Sequence, residues 1–303
     1  NVDAGLWQNG NITGRAFTDL NSDGVRQTGE AVLPGVTAQL LNAAGTVVTS
    51  ATTDSSGNYS LSAAPGTYTV KFVTPTGYSL SSQDRGSDDT LDSDASPTTG
   101  VTTAITLTSG QTVANVDAGL WKTATVSGLA FTDTNGDGIQ GTGEAGIAGQ
   151  SVQLLNTAGT VVATTTTGSN GAYSFGNVTP GTYQVQFAAA SGTSFTAQDQ
   201  GSNDAVDSDV GSTGRSAAIT LTSGQTVANL SAGSFMPATI TGRAFTDLNS
   251  DGVRQTGEAV LSGVTAQLLN AAGTVVTSAT TDSSGNYSLS AAPGTYTVKF
   301  VTP

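Results

Sequence analysis

Only three glutamates occur in this 303-residue sequence, and each closes the same twelve-residue pattern. The first copy reads Asp19-Leu20-Asn21-Ser22-Asp23-Gly24-Val25-Arg26-Gln27-Thr28-Gly29-Glu30. Oxygens at positions 1, 3 and 5 converge on a hard cation, and glycine at position 6 permits the sharp turn. The carbonyl at position 7 adds a backbone oxygen, and glutamate at position 12 closes the shell with both carboxylate oxygens. The candidate ligands are therefore Asp19, Asn21, Asp23, the carbonyl of Val25, and Glu30. The pattern recurs as Asp133, Asn135, Asp137, Ile139 and Glu144, and again as Asp247, Asn249, Asp251, Val253 and Glu258. An Asx-type turn in solvent is the plain alternative, but a surface needing only solubility would scatter glutamate freely. Ala31-Val32-Leu33-Pro34-Gly35 leads from the loop into a strand pattern, so the loop is of EF type on a β-scaffold and not part of a helix pair.

A second acidic segment holds Asp84, Asp88, Asp89, Asp92 and Asp94 within eleven residues. Its counterpart holds Asp199, Asn203, Asp204, Asp207 and Asp209. At about 4 Å a close carboxylate pair costs ~1 kcal/mol in water and ~4 kcal/mol at an effective dielectric of 20. A divalent cation removes that repulsion, and oxygen-only donors select calcium over zinc or copper. The expectation is two to three calcium ions per complete repeat, with a solvated acidic loop as the alternative for this segment. Asp117 is a further candidate ligand, and Ser231 at the matching position argues against it. Asp54 and Asp282, in T-T-D-S-S-G-N-Y, read as turn residues.

These residues sit in a repeating frame. Phe17, Phe131 and Phe245 are 114 residues apart, as are Tyr59, Tyr173 and Tyr287. A period of that length is a whole domain, since solenoid repeats run ~20–50 residues. Residues 1–8 read as the last strand of a preceding repeat, 9–121 and 122–237 as complete repeats, and 238–303 as a truncated one. The sequence thus reads as a window on a longer array, with joints short enough for neighbouring repeats to touch. Within the first repeat, alternation predicts strands over 13–18, 36–41, 47–53, 58–61, 66–72, 102–107 and 111–116. About seven short strands predict an all-β Greek-key sandwich, with Tyr68, Val70 and Phe72 on one face.

Composition closes off several classes. With no cysteine and no histidine, disulfides, Cys/His zinc sites and Ser–His or Cys–His nucleophiles are excluded. The net charge of −13 argues against nucleic acid as a partner, and no apolar run is long enough to span a membrane. Carboxylates clustered in loops at ligand spacing argue for metal sites over paired-acid catalysis, so no enzyme is expected.

The order F-T-D-x-N-x-D-G, G-E, T-D-S-S-G-N-Y-S and P-G-T-Y-x-V-x-F, followed by Q-D-x-G-S-x-D, D-S-D and V-D-A-G-L-W, resembles the B-type repeats of serine–aspartate (SdrD-like) bacterial surface adhesins. The resemblance spans the whole repeat. It implies tandem Cna-B-like, prealbumin-type sandwiches holding several calcium ions each, with the loop residues above as ligands. It also implies a stalk or fibre segment at a bacterial surface or in a secreted matrix, as in adhesion and biofilm. Related sandwiches are stiffened by Lys–Asn isopeptide bonds. The only lysines here are Lys71, Lys122 and Lys299, so the body of the middle repeat has none for such a bond. Calcium is left as the expected stiffener. The alternatives are a module binding a glycan or protein, or a subunit associating laterally or end to end into filaments. Trp7 and Trp121 could offer sugar platforms, but their place in the closing strand points to packing.

Overall fold

A computed structural model describes residues 2–301, and every regular element among them is a strand. The first repeat carries β1 (Gly10–Thr18), β2 (Thr37–Asn42), β3 (Val47–Thr52), β4 (Asn58–Ala63) and β5 (Gly66–Val73). It continues with β6 (Ser79–Leu80), β7 (Ile105–Leu107), β8 (Thr112–Val113) and β9 (Ala118–Trp121). One sheet runs β4-β1-β9-β6, with β8 also on β1, and the other runs β3-β2-β5-β7. Both contacts of β1 with the late strands are parallel, Ile12 opposite Val113 and Phe17 opposite Gly119. The alternation in β4, buried at Tyr59, Leu61 and Ala63 and exposed between, is what one packed face requires.

Ile12, Tyr59 and Leu120 from the first sheet join Leu40, Val70 and Phe72 from the second in one buried core. Tyr59 meets Phe72 edge-on at 5.5 Å, and Tyr173 meets Phe187 in the same way at 5.3 Å. The second repeat reproduces the sheets, with strands at residues 124–132, 151–156, 161–166, 172–178 and 181–187 and short ones following.

Two differences from the expected strands bear on the site. The short strand β6 lies outside the predicted set, and the closing strand expected at Trp121 is β9, which begins at Ala118 and is separate from the strand predicted over 111–116. Val2–Trp7 matches the sequence that carries β9 but forms no strand, because β9 exists only through pairing with β1 and β6.

The contacts divide into two compact units. The first contains residues 1–126, 174–183 and 218–228, and the second contains residues 127–173, 184–217 and 229–303.

Candidate metal centre

The twelve-residue loop follows β1, and the acidic segment lies between β6 and β7 and is hydrogen-bonded to the start of β9, the Asp94 amide donating to the Asp117 carbonyl at 2.9 Å. Asp19 follows β1 directly, and its amide donates to the carbonyl of Leu120 on β9 at 2.9 Å. Asp19 is fully buried, and its Oδ2 accepts the Gly24 amide at 2.8 Å. The Asn21 Oδ1 accepts the Asp23 amide at 3.2 Å, and the Asp23 Oδ1 accepts the Val25 amide at 2.8 Å. Glu30 reaches back across the loop, accepting the Leu20 amide at 2.6 Å and the Gln27 amide at 2.9 Å. Burial raises the Glu30 carboxyl, the Gln27 and Leu20 amides oppose that, and the charges of Asp19 and Asp23 add to it. Gly24 sits at φ 86°, where a Cβ would lie 2.2 Å from the Ser82 carbonyl oxygen, so the position has room only for glycine.

The second loop repeats this arrangement: Gly138 donates to Asp133, Asp137 to Asn135, Ile139 to Asp137, and Thr134 and Gly141 to Glu144. In the third, Gly252 and Ser250 donate to Asp247, Asp251 to Asn249, Val253 to Asp251, and Leu248 and Gln255 to Glu258. Asp247 is only half-buried, whereas Asp19 and Asp133 are sealed.

The acidic segment is stitched to the loop by backbone. Arg26 donates to Leu91 and Ser93 donates to Gly24, forming a bridge of Val25 with Asp92. Ile139 and Asp207 form the same bridge in the second repeat. This pairing brings three carboxylates of the segment together, Asp89, Asp92 and Asp94, each with an oxygen within 4.8 Å of the others. Asp204, Asp207 and Asp209 form the matching trio.

The remaining candidates lie outside the trios. Asp84 and Asp199 take left-handed backbone at φ 51° and 55°, and their amides donate to Ser93 and Ser208. Asp88 caps a turn through Thr90, at 3.0 Å to the amide and 2.6 Å to the hydroxyl. Asn203 caps the same turn through Ala205, which explains why an amide serves at that position. Asp117 accepts the Arg15 amide at 2.9 Å, and Ser231 accepts the Leu129 amide at 3.2 Å. The two side chains therefore share a backbone-holding role at β1. Asp54 and Asp282 each accept two amides of their own turn.

The electrostatics of the trios are unbalanced. Asp92 and Asp207 are buried, and the Oδ1 of each has no hydrogen-bond partner. A buried carboxylate oxygen left unpaired is costly, of order 1–3 kcal/mol or more for a charged group. Burial raises Asp92 and Asp207, with Asp89 and Asp84, or Asp204 and Asp199, adding repulsion. Burial likewise lifts Asp94 and Asp209 to about 7 and Asp117 to about 6. Oxygen-only donors, mutual repulsion and an unpaired buried oxygen fit a hard divalent cation.

Several positioning residues carried no chemical signature in the sequence. The Tyr59 hydroxyl donates to the Val116 carbonyl at 2.7 Å, as Tyr173 does to Leu230. At Gly14 a Cβ would lie 1.9 Å from the Val116 oxygen, and at Gly128 2.0 Å from the Leu230 oxygen. Ser93 and Ser208 are buried and accept the Gly119 and Gly233 amides. Their only sequence signal is the shared D-S-D triplet.

A profile of the SdrD B-like domain matches residues 10–120, 124–234 and 238–303. Serine-aspartate repeat-containing protein F of Staphylococcus epidermidis is 32% identical over 301 residues, covering 97% of this chain and 17% of that protein. Serine-aspartate repeat-containing protein D of Staphylococcus aureus (strain Newman) is 34% identical over 298 residues, covering 97% of this chain and 22% of that protein. The chain thus spans about a fifth of the length of these relatives. Among solved structures, BcpA, the major pilin subunit of Bacillus cereus, covers 97% of this chain and 88% of its own, at 13% identity and a TM-score of 0.29.

Proposed function

The chain belongs to the SdrD B-like domain family, and from that premise we propose that it is a stalk or fibre segment of a bacterial surface protein whose repeats are stiffened by calcium. One observation carries the calcium reading: Asp92 and Asp207 are each buried in a carboxylate trio with one oxygen unpaired. Calcium would be held by Asp89, Asp92 and Asp94, and separately by Asp19, Asn21, Asp23, the Val25 carbonyl and Glu30. The ion supplies positive charge to a loop cluster that otherwise repels itself. The chain's own residues do the rest: Tyr59 and Ser93 fix the β9 end, and the backbone bridge between Val25 and Asp92 ties one site to the other.

Extracellular calcium modules bind at ~10⁻⁴–10⁻³ M. A site held at ten times its dissociation constant adds about 1.4 kcal/mol. Two or three such sites are a large share of a domain stability of ~5–15 kcal/mol. Melting and protease digestion, each with calcium and with EGTA, test the proposal. A lower melting temperature and faster digestion in EGTA are expected, and no change in either would sink it.

Lateral association has one observation in its favour. Val47 and Val48 lie on the edge strand β3 at 47% and 48% exposure, and Val161, Val162, Val275 and Val276 repeat the pattern at 44–49%. Exposed apolar edges pair readily. Sedimentation velocity in calcium tests this reading: a V47K/V161K/V275K chain should lose any self-association that the parent shows, and a monomeric parent would dismiss it.

A further inference from the structure

We infer that the twelve-residue loop of one repeat is also the seat for the next repeat, so that the ion site and the inter-repeat joint are a single element. The observations lie inside each compact unit. In the first unit the Ser22 hydroxyl, at loop position 4, donates to the Pro180 carbonyl at 3.2 Å. Two residues earlier, the Leu20 carbonyl accepts the Ser223 amide at 2.9 Å. Pro180 and Ser223 belong to two turns of the second repeat, and Ser223 also holds the linker, its Oγ accepting the Lys122 amide at 2.8 Å. The Lys122 ammonium lies 4.7 Å from the Tyr78 ring centroid, back on the first repeat. In the second unit the same loop position, Gly136, lies against Pro293 of the third repeat, a Cβ there falling 3.0 Å from the Pro293 oxygen.

Equivalent positions with no loop against them differ in burial, although Ser109 holds its linker as Ser223 does, accepting the Gln8 amide at 2.9 Å. Pro180 is buried under the loop, whereas its counterpart Pro65 is exposed. Thr222 and Ser223 are half-buried, whereas Thr108 and Ser109 are exposed. Leu20 is half-buried, and Leu248 of the third loop is 73% exposed. The seating residues, Leu20 and Ser22, alternate with the ligand candidates Asp19, Asn21 and Asp23 along the same stretch of backbone. Ser22 and its exposed counterpart Ser250 both take left-handed backbone, at φ 60° and 62°, so the loop itself sets the conformation that presents this position. An ion on the odd positions would fix the backbone that presents the even ones. A loop without its ion would release the next repeat while leaving both sandwiches folded.

This inference rests on the calcium reading of the loop, and the experiment separates the two. The chain has no cysteine, so spin labels can be placed singly at S60C and S174C, matched exposed positions on the first and second repeats. Pulsed electron–electron distance measurement on the full chain is expected to give one narrow distribution in millimolar calcium and a broad one in EGTA. P180K, which places a cation under the loop but removes no ligand candidate, is expected to give the broad distribution even in calcium, with calcium still bound in calorimetry but more weakly than by the parent, because the joint and the ion are coupled. P65K makes the same substitution in the exposed matching turn and is expected to behave as the parent, which controls for damage to the turn itself. Calcium binding with equally narrow distances in calcium and EGTA overturns the joint and leaves the calcium reading standing. A narrow distribution for P180K also overturns the joint. No calcium binding by the parent chain sinks both.

Discussion

At Asp92 and Asp207 burial and charge act against each other, because the backbone bridge that brings each residue under the loop also strips water from its carboxylate. Neutralising that group separates its two roles. In EGTA, a D92N/D207N chain should melt higher than the parent, by roughly 4 °C for each kcal/mol of repulsion relieved. In calcium it should melt lower, because the trio has lost a charged ligand. Thermal scans in the two buffers check the crossing, and a parent more stable in both would refute it. The pH dependence follows from the same groups. Asp94 and Asp209, lifted to about 7 in the fold against an ordinary 3.8, bind more protons folded than unfolded between those values. Stability in EGTA should therefore be highest below about pH 4 and fall as pH rises towards 7, the opposite of a salt-bridged aspartate. Urea midpoints across that range, with and without calcium, measure the slope, and saturating calcium should flatten or reverse it. The carboxylates of both elements were legible in the sequence because ligand spacing is local. Which of them meet was not, since Asp84 and Asp88 differ from Asp89, Asp92 and Asp94 only in the bends between them.

The elements explain why so few strand residues serve the site. β1 and β9 run parallel through Ala16–Thr18 and Ala118–Leu120; β1 leads into the twelve-residue loop, and the acidic segment is hydrogen-bonded to Asp117 at the start of β9. Their approach depends on Gly14, which no side chain could replace against the Val116 carbonyl, and on Tyr59, which satisfies that carbonyl across the core. Y59F should leave the Val116 oxygen buried and unpaired, a loss of about 1–3 kcal/mol. Urea unfolding gives the magnitude, and faster amide exchange around residues 116–118 than elsewhere in the core would place the effect at β9. Uniform exchange would argue against Tyr59 as the pin. Long alternating strands such as β4 and β5 could be read from sequence because their apolar faces meet one core. β6 escaped that reading because a strand of two residues shows no period, and β9 was legible only through the recurrence of its sequence at residues 1–7. Parallel pairing of the first and last strands is also a long-range outcome that no local pattern announces.

Across the whole chain, the three repeats differ in how much of the proposed ion machinery they hold. The first and second carry both a twelve-residue loop and a carboxylate trio, joined by the Val25–Asp92 and Ile139–Asp207 bridges. Among the described residues the third shows its loop, with Asp247 half-buried and Val253 62% exposed. Ligand-linked stability grows with each occupied site, so calcium should stabilise the first two repeats about twice as much as a single site would. The bridges should also make the two sites of one repeat fill together, since ordering either loop orders its partner strand. Hydrogen exchange followed peptide by peptide through a calcium titration reads both effects. Protection over 19–30 and 84–94 should rise with one midpoint, and over 133–144 and 199–209 likewise. Protection over 247–258 should rise less and at higher calcium. Equal gains in all three loops would show that the trios add nothing, and separate midpoints within one repeat would show that the bridges do not couple the sites.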